Sequence, residues 1–263
     1  MKISIVTAAH RSAATLRNAI ESVLAQTYKD IEYIIVDSGT GDGTAELVAH
    51  YAPRFDGRLV FISEPDHGAY DAMNKGIARA TGDVVGILNS DDYFTTVDVL
   101  AQVARTMTQS DVDAVYGDVH YVSPARLDRC VRYYSSQQFT PQRMRMGFMP
   151  AHPSFYCRRE VYQRYGAFDT TYKVAADFEL LLRLIYVAGI ATTYIPIDFV
   201  TMRTGGLSNS GWRSHLQIMR DHRRALRAHH VSTSYLRLSL RYGYKVADIV
   251  KARVKSMSRS KKH

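Results

Sequence analysis

Apolar residues follow two rhythms along this chain, and the alternation between them sets out its elements. From Lys2 to Ala8 a β-rich apolar run predicts a buried strand. Past Arg11-Ser12 the rhythm changes: Leu16, Ile20, Val23 and Leu24 recur at helical spacing, with Ser12 the expected N-cap. Ile31 to Asp37 is a second strand, closed by the turn residues Ser38-Gly39-Thr40-Gly41-Asp42-Gly43. A helix from about Thr44 to His50, a strand at Leu59 to Ser63 and a helix from about Ala69 to Ala80 follow. Val84 to Leu88 is a fourth apolar strand and stops at Asn89-Ser90-Asp91-Asp92.

Strand and helix in short alternation predict an α/β fold of right-handed βαβ units around a mostly parallel central sheet. Ligands of such sheets bind beyond the carboxyl ends of the strands. Asp37 and Asp91-Asp92 stand at strand ends, so two acidic clusters distant in sequence are expected on one rim. Beyond Val112 the pattern loosens. Val115 to Val119, Asp128 to Tyr134 and Phe155 to Cys157 read as strands of a mixed region, and Phe178 to Val187 as a helix with Leu181, Leu182 and Ile185 turned inward.

At 263 residues and 46% hydrophobic composition, the chain can bury a large core without disulfides. Its two cysteines, Cys130 and Cys157, form no CxxC pair, which argues against a zinc ribbon and for a reduced, cytoplasmic setting. The opening Met1 to Val6 is too short for a signal-peptide core, and no run nears the roughly 20 apolar residues of a membrane-spanning helix. Net charge is +9, and its placement matters more than its size. Trp212 to His263 carries 14 Lys/Arg against Asp221 and Asp248, while the rest of the chain is slightly acidic. The excess positive charge therefore belongs to a C-terminal extension.

Adjacent carboxylates at the end of a buried strand repel each other, and a hard divalent cation such as Mg²⁺ or Mn²⁺ would remove the conflict. An ordinary Asp-rich turn is the alternative for Asn89 to Asp92, as turn chemistry is for Asp37, which could otherwise accept a hydrogen bond from a base N–H. The block Glu64-Pro65-Asp66-His67-Gly68-Ala69-Tyr70-Asp71-Ala72-Met73-Asn74-Lys75-Gly76 crowds polar residues around a helix start, with Asp66 its functional candidate and Ala72, Met73 and Ile77 facing the core. Asp177 opens an apolar helix, either as a simple cap or as a general base. No GxGxxG follows the first strand, which disfavours a dinucleotide dehydrogenase.

Taken together, Ile3-Ser4-Ile5-Val6-Thr7, Ala25-Gln26-Thr27, Ile35-Val36-Asp37-Ser38-Gly39, Asp42-Gly43-Thr44, the Glu64 to Gly76 block, Leu88-Asn89-Ser90-Asp91-Asp92 and Ala176-Asp177-Phe178-Glu179 resemble the family 2 inverting glycosyltransferases of GT-A fold. The resemblance covers Lys2 to Ser208. It implies a GT-A-like domain over 1–211 and a basic helical extension over 212–263. It also implies single-sugar transfer with inversion from a nucleotide sugar, UDP-linked by preference with dTDP or GDP as alternatives. Thr7, Ala9, Asp37, Asp66, Asp91 and His152 would contact the nucleotide sugar, Asp91 and Asp92 would hold Mn²⁺ or Mg²⁺, and Asp177 would be the catalytic base. The acceptor implied is lipid-linked or a glycan. Two departures stand out: Asn89 replaces an Asp common in relatives, and the Gln-x-x-Arg-Trp motif of processive synthases is missing.

Gly205-Gly206-Leu207-Ser208 reads as a loop able to close over a donor. From Tyr235 onward, apolar Leu236, Leu240, Ala247, Val250 and Val254 face one side of a helical pattern and Arg237, Arg241 and Lys245 another. Such a helix either lies on an anionic membrane, placing the enzyme on the inner face of the cytoplasmic membrane, or packs on the catalytic domain. The rivals are a basic nucleic-acid-binding protein, for which only the tail speaks, and a sugar-nucleotide binder without catalysis.

Overall fold

Ile3, Ile5 and Val6 are fully buried in β1 (Ile3–Ala9), because this strand is covered on both faces and flanked on both edges. Its neighbours β2 (Ile31–Asp37) and β4 (Val84–Ile87) run parallel to it, in register Ala9 with Asp37 and Val6 with Ile87. A strand buried on two faces needs a continuous apolar run, and this is the pattern of all three. The computed structural model describes residues 1–205 and 211–239, with the side chains of 211–215 excepted.

Among the described residues one nine-stranded sheet runs in the order β3-β2-β1-β4-β8-β6-β9-β5, with β7 paired to β6. The remaining strands are β3 (Leu59–Ser63), β5 (Tyr93–Phe94), β6 (Ala114–Ser123), β7 (Arg126–Tyr134), β8 (Tyr156–Arg158) and β9 (Thr192–Arg203). Strands β1, β2, β3, β4, β6 and β9 point the same way; β5, β7 and β8 oppose them. The expected mostly parallel α/β sheet is therefore present, and six carboxyl ends share one rim.

Helices cover both faces. α1 (Leu16–Leu24), α2 (Thr44–Tyr51) and α4 (Val99–Gln109) enclose one core with Ile3, Ile5, Tyr33 and Phe199. α3 (Ala69–Arg79), α5 (Arg159–Tyr165), α6 (Ala176–Leu181) and α7 (Gly211–Ala228) enclose the other with Val6, Ile34, Tyr116 and Phe155. Ala72, Met73 and Ile77 face inward on α3, as their spacing predicts. α7 carries basic residues outside, yet its Ala225 and Leu226 are fully buried and His222 stacks on Phe178 at 3.7 Å. The basic segment thus opens with a helix seated on α6.

Several details differ from the pattern. Thr15, not Ser12, holds the N-cap position of α1; the Ser12 carbonyl takes the N–H groups of Thr15 and Leu16 instead. The helix expected over 178–187 is α6 followed by a π-helical stretch, Leu182–Val187, in which the Ala188 N–H reaches the Arg183 carbonyl. The sequence predicts no strand over 192–203, since Pro196 interrupts it. The sheet tolerates that proline through a register shift between the pairs Tyr116–Tyr194 and Asp118–Asp198. Gly206 to Ser208 and the tail from Leu240 lie outside the described residues.

Gly76 is where α3 comes closest to the sheet: a Cβ there would stand 2.2 Å from Val6 Cγ1. Helix propensity favours Ala over Gly by roughly 1 kcal/mol, but overpacking a closed core costs about 1–3. Gly76→Ala is therefore expected to lower the urea-unfolding free energy by about 1–2 kcal/mol. An unchanged or raised midpoint would show that the contact is soft.

Candidate active site

The rim begins at the ends of β1 and β2. Asp37 closes β2, only 2% exposed, and its Oδ2 accepts hydrogen bonds from the Gly39 N–H at 2.9 Å and the Ser63 hydroxyl at 3.0 Å. Gly39 adopts φ +71, the left-handed region that a glycine reaches without strain. Asp37 Oδ1 is buried without a partner among the described residues. A buried carboxylate oxygen left unpaired is costly, so this atom calls for a donor from a ligand or water. Around it, Ser38 donates its N–H to the Ala9 carbonyl at 3.0 Å, and His10 Nδ1 meets the Ser38 hydroxyl at 2.7 Å.

Thr7 and Ala9 contribute differently from a polar pocket wall. Thr7 is fully buried, its hydroxyl donating to the Leu88 carbonyl at 2.7 Å and lying 3.2 Å from the Tyr33 hydroxyl. It ties β1 to the residue that leads into Asn89. The Ala9 side chain sits in the core, and only its backbone borders Asp37. The Ser12 hydroxyl donates to that of Ser90 at 2.8 Å, and the Ala13 N–H reaches Asp42 at 3.1 Å. Several such backbone and hydroxyl donors hold the Asp42 carboxyl down to about 2.

At the end of β4 the two acidic residues are unlike each other. Asp92 is 1% exposed; its Oδ2 accepts from the Asn89 amide at 2.8 Å and its Oδ1 from the Arg203 N–H at 3.2 Å. Burial, then the Asp91 charge, push its carboxyl up to about 8. Asp91 is half-buried, and desolvation raises it against the pull of Arg203. Among the described residues neither carboxylate has an ion-pair partner, and no cluster of three or more His, Cys, Asp or Glu could cage a metal. Carboxylate oxygens are the kind of donor that could hold a hard cation such as Mg²⁺ or Mn²⁺. Asp91 has the access to do so; Asp92, turned inward, anchors the end of β9. Asn89, the departure from an acidic residue, becomes the donor that fixes Asp92.

Asp177 lies in the first turn of α6. Ala175 occupies the N-cap, and Asp177 is the second helical residue, with Oδ1 accepting from the Phe178 N–H at 2.8 Å. The Tyr70 hydroxyl donates to the Val174 carbonyl at 2.6 Å beside this helix start, and burial together with the Asp177 charge raises its pKa strongly. Tyr121 is raised by burial too, and feels the charges of both Asp92 and Asp177. Below them Glu179, 4% exposed, forms a bidentate pair with Arg183 at 2.9 and 3.0 Å and meets His229 Nε2 at 2.7 Å. Arg183 also donates to the carbonyls of Tyr165, Gly166 and Ala167. The start of α6 is thereby held rigid.

Two further expected residues, Asp66 and His152, have local surroundings of their own. Asp66, past the end of β3, accepts from the Gly68 N–H at 2.8 Å and shapes the turn into α3. His152 is buried edge-on to Phe168 at 5.1 Å, its Nε2 without a partner, and burial lowers its pKa to about 4. It is a neutral imidazole at physiological pH, able to donate or accept but not to balance a phosphate charge. The sequence singled out neither Arg203 nor Tyr121. Arg203 ends a strand that Pro196 obscures, and Tyr121 sits in a hairpin with no motif.

Residues 4–167 match the sequence profile of Glycosyl transferase family 2. The chain belongs to that family. A Mycobacterium tuberculosis protein named PGL/p-HBAD biosynthesis glycosyltransferase is 30% identical over 209 residues, covering 79% of each chain. An uncharacterized glycosyltransferase of the same species is 33% identical over 187 residues, 69% of this chain and 68% of its own. Among solved structures, S. aureus TarS 1-349 in complex with UDP-GlcNAc superposes with a TM-score of 0.69 at 17% identity, over 86% of this chain and 66% of that one. The mannosyltransferase PcManGT from Pyrobaculum calidifontis, in complex with GDP-Man and Mn²⁺, gives 0.64 at 21% identity over 85% of this chain and 64% of its own. These likenesses confirm the GT-A-like fold, and the family makes the protein a glycosyltransferase.

The Asp92 carboxyl keeps its proton to about pH 8 when folded, against a reference value of 3.8. Between those values the native state binds the extra proton, so metal-free stability falls as pH rises. Asp92→Asn removes this titration. In chelator, its Tm is expected to fall less than that of the parent between pH 5 and pH 9, by roughly 3 °C or more. Parallel Tm profiles for the two proteins would contradict the assignment.

Proposed function

We propose that the protein transfers a single sugar, with inversion, from a nucleoside diphosphate sugar to an acceptor hydroxyl. The observation that carries this reading is the unpartnered Asp37 Oδ1 on the same rim as the Asp91–Asp92 pair. A base N–H fits that lone oxygen, as the imide N–H of uracil in UDP or of thymine in dTDP would, and as the N1–H of guanine in GDP would also. TarS is described with UDP-GlcNAc, and the Pyrobaculum enzyme with GDP-Man and Mn²⁺, which supports a nucleotide sugar as donor. An acceptor that is lipid-linked or a glycan accords with the PGL/p-HBAD name of the mycobacterial relative.

The residues divide the work as follows. Asp37 and the backbone at Ala9 hold the base. Asp91, backed by Asp92, would hold Mn²⁺ or Mg²⁺ against the diphosphate; bound there, the ion supplies charge stabilisation to the leaving group. Arg203 adds permanent positive charge beside the same oxygens. Asp177 accepts the proton of the acceptor hydroxyl as that oxygen bonds to the anomeric carbon, and the bond to the diphosphate breaks on the opposite face. Inversion follows from that geometry. Thr7, Asp66 and His152 shape the walls rather than react.

Asp177→Asn keeps size and helix compatibility but accepts no proton at neutral pH. Turnover is expected to fall by about 10²–10⁴ with nucleotide affinity little changed. A turnover near that of the parent, or a product retaining the donor's anomeric configuration by NMR, would remove Asp177 from this role.

A peripheral membrane position is the further part of the reading. Among the described residues no helix is long and apolar enough to cross a membrane. What supports surface binding is exposed Leu236, Tyr235 with Arg223 at 4.3 Å over its ring, and exposed Arg237. Eight Lys/Arg against Asp248 follow in 240–263. Removing 240–263 spares the buried Leu238 and is expected to reduce co-sedimentation with anionic vesicles by about ten-fold or more, since each basic residue near such a surface contributes about 1 kcal/mol. Undiminished co-sedimentation would assign the tail elsewhere.

A further inference from the structure

Beyond α7 the chain folds back against a tight turn, Pro141–Met146. The Arg145 Nε–H donates to the Ser232 carbonyl at 3.4 Å, and the Thr233 hydroxyl donates to the Arg145 carbonyl at 2.9 Å. Residues 235–239 are helical, and Leu238 among them is fully buried in the core that also holds Met144. The two bonds at Arg145 and the burial of Leu238 seat 235–239 beside the turn. An open cavity of about 260 Å³ lies there, lined by Gln142, Arg145, Met146 and Arg237.

The lining is basic and unneutralised. None of the four side chains is acidic, and among the described residues neither Arg145 nor Arg237 has an ion-pair partner. Arg145 commits only its Nε to the protein there, and the Arg237 guanidinium makes no hydrogen bond among the described residues. Arg183 shows how the fold treats a structural arginine: Glu179 and three backbone carbonyls take its donors. A guanidinium offers five N–H donors and keeps its charge at any working pH. Two of them on one cavity repel each other unless an anion lies between. A phosphate has the oxygens to bridge both forks, with the Gln142 amide as a neutral donor beside them.

The surroundings favour a phosphate carried on a lipid over a free one. Leu236 is 75% exposed and Tyr235 44%, on the same short helix as Arg237, and Met146 lines the cavity itself. Inorganic phosphate has no use for these apolar groups, whereas the interface of a bilayer covers them. We propose that Arg145 and Arg237, with Gln142, form a phosphate site for the headgroup of an anionic membrane lipid. The proposal rests on the surface-binding reading given above for the source of its ligand. The basic tail supplies diffuse attraction to the surface, and the cavity supplies a fixed hold on one headgroup. None of its residues belongs to the nucleotide rim. A phosphate bridging Arg145 and Arg237 would also staple 235–239 to the Pro141–Met146 turn.

The test is calorimetric titration of the full-length protein with dihexanoyl phosphatidic acid, below its micelle concentration, and with inorganic phosphate. Co-sedimentation with phosphatidylcholine vesicles containing phosphatidic acid runs beside it. Arg145→Gln and Arg237→Gln are each expected to weaken the short-chain lipid by about ten-fold or more, and the Lys variants by less, since charge-assisted hydrogen bonds are lost in the first and partly kept in the second. Inorganic phosphate should bind the parent at least about ten-fold more weakly than the lipid, because it buries no apolar surface. Lys261→Gln with Lys262→Gln removes charge outside the cavity and should leave the short-chain lipid affinity level. The Tm of each variant reports that it is folded. Equal lipid affinity in the parent and both Gln variants, or no binding by the parent, would overturn the proposal. So would inorganic phosphate bound as tightly as the lipid, which would make this a free-phosphate site. Displacement of the lipid by a single-stranded oligonucleotide would overturn it in favour of nucleic acid. A parent that binds the soluble lipid but stays behind when vesicles sediment would overturn the surface reading and keep the phosphate site.

Discussion

Two carboxylates placed side by side at the end of an apolar strand create the conflict around which this protein is organised. β4 is buried along its whole length, and Asp92 continues that burial to 1% exposure with Asp91 next to it. Desolvation alone disfavours the charge, and the neighbouring charge adds to the penalty. Nothing among the described residues cancels it by direct ion pairing. The surrounding structure supplies only partial relief: the Asn89 amide on one oxygen, the Arg203 N–H on the other, and the Arg203 charge nearby. A site left in that condition gains most from a ligand that brings positive charge with it.

The same logic runs outward along the rim. Parallel strands deliver their carboxyl ends to one edge, so Asp37, Asp91 and the end of β9 converge although they are far apart in sequence. Opposite them, the start of α6 has little freedom. Glu179 and Arg183 lock it to the carbonyls of 165–167, His229 ties it to the end of α7, and Tyr70 reaches over from α3 to the Val174 carbonyl. A base that must meet an incoming hydroxyl within hydrogen-bond reach benefits from such a rigid mount. The α7 contact also gives the basic segment a structural reason to begin where it does.

How much of this was legible depended on the range of the interactions. The first four strands and their helices follow from apolar periodicity alone, because burial on both faces of β1, β2 and β4 leaves an unmistakable run. Asp37, Asp91, Asp92 and Asp177 could be singled out because acidic residues at strand and helix ends are conspicuous, and the family resemblance gave them an order. The inward turn of Thr7 and the burial of Asp92 were not visible, since both depend on which neighbour each side chain meets across the sheet. β9 was hidden by Pro196, which only a register shift against β6 makes tolerable. Arg203 and Tyr121 went unmarked for the same reason: their significance lies in what the topology brings beside them.

If the buried carboxylate pair and the unpartnered Asp37 oxygen form one nucleotide site, UDP affinity must depend on a divalent cation. Isothermal titration of UDP in chelated buffer and in Mn²⁺ measures this directly. The account predicts binding that tightens by at least about ten-fold with Mn²⁺, as expected if Asp91, backed by Asp92, holds the ion against the diphosphate. Equal affinity with and without the ion, or no UDP binding in either buffer, would contradict it.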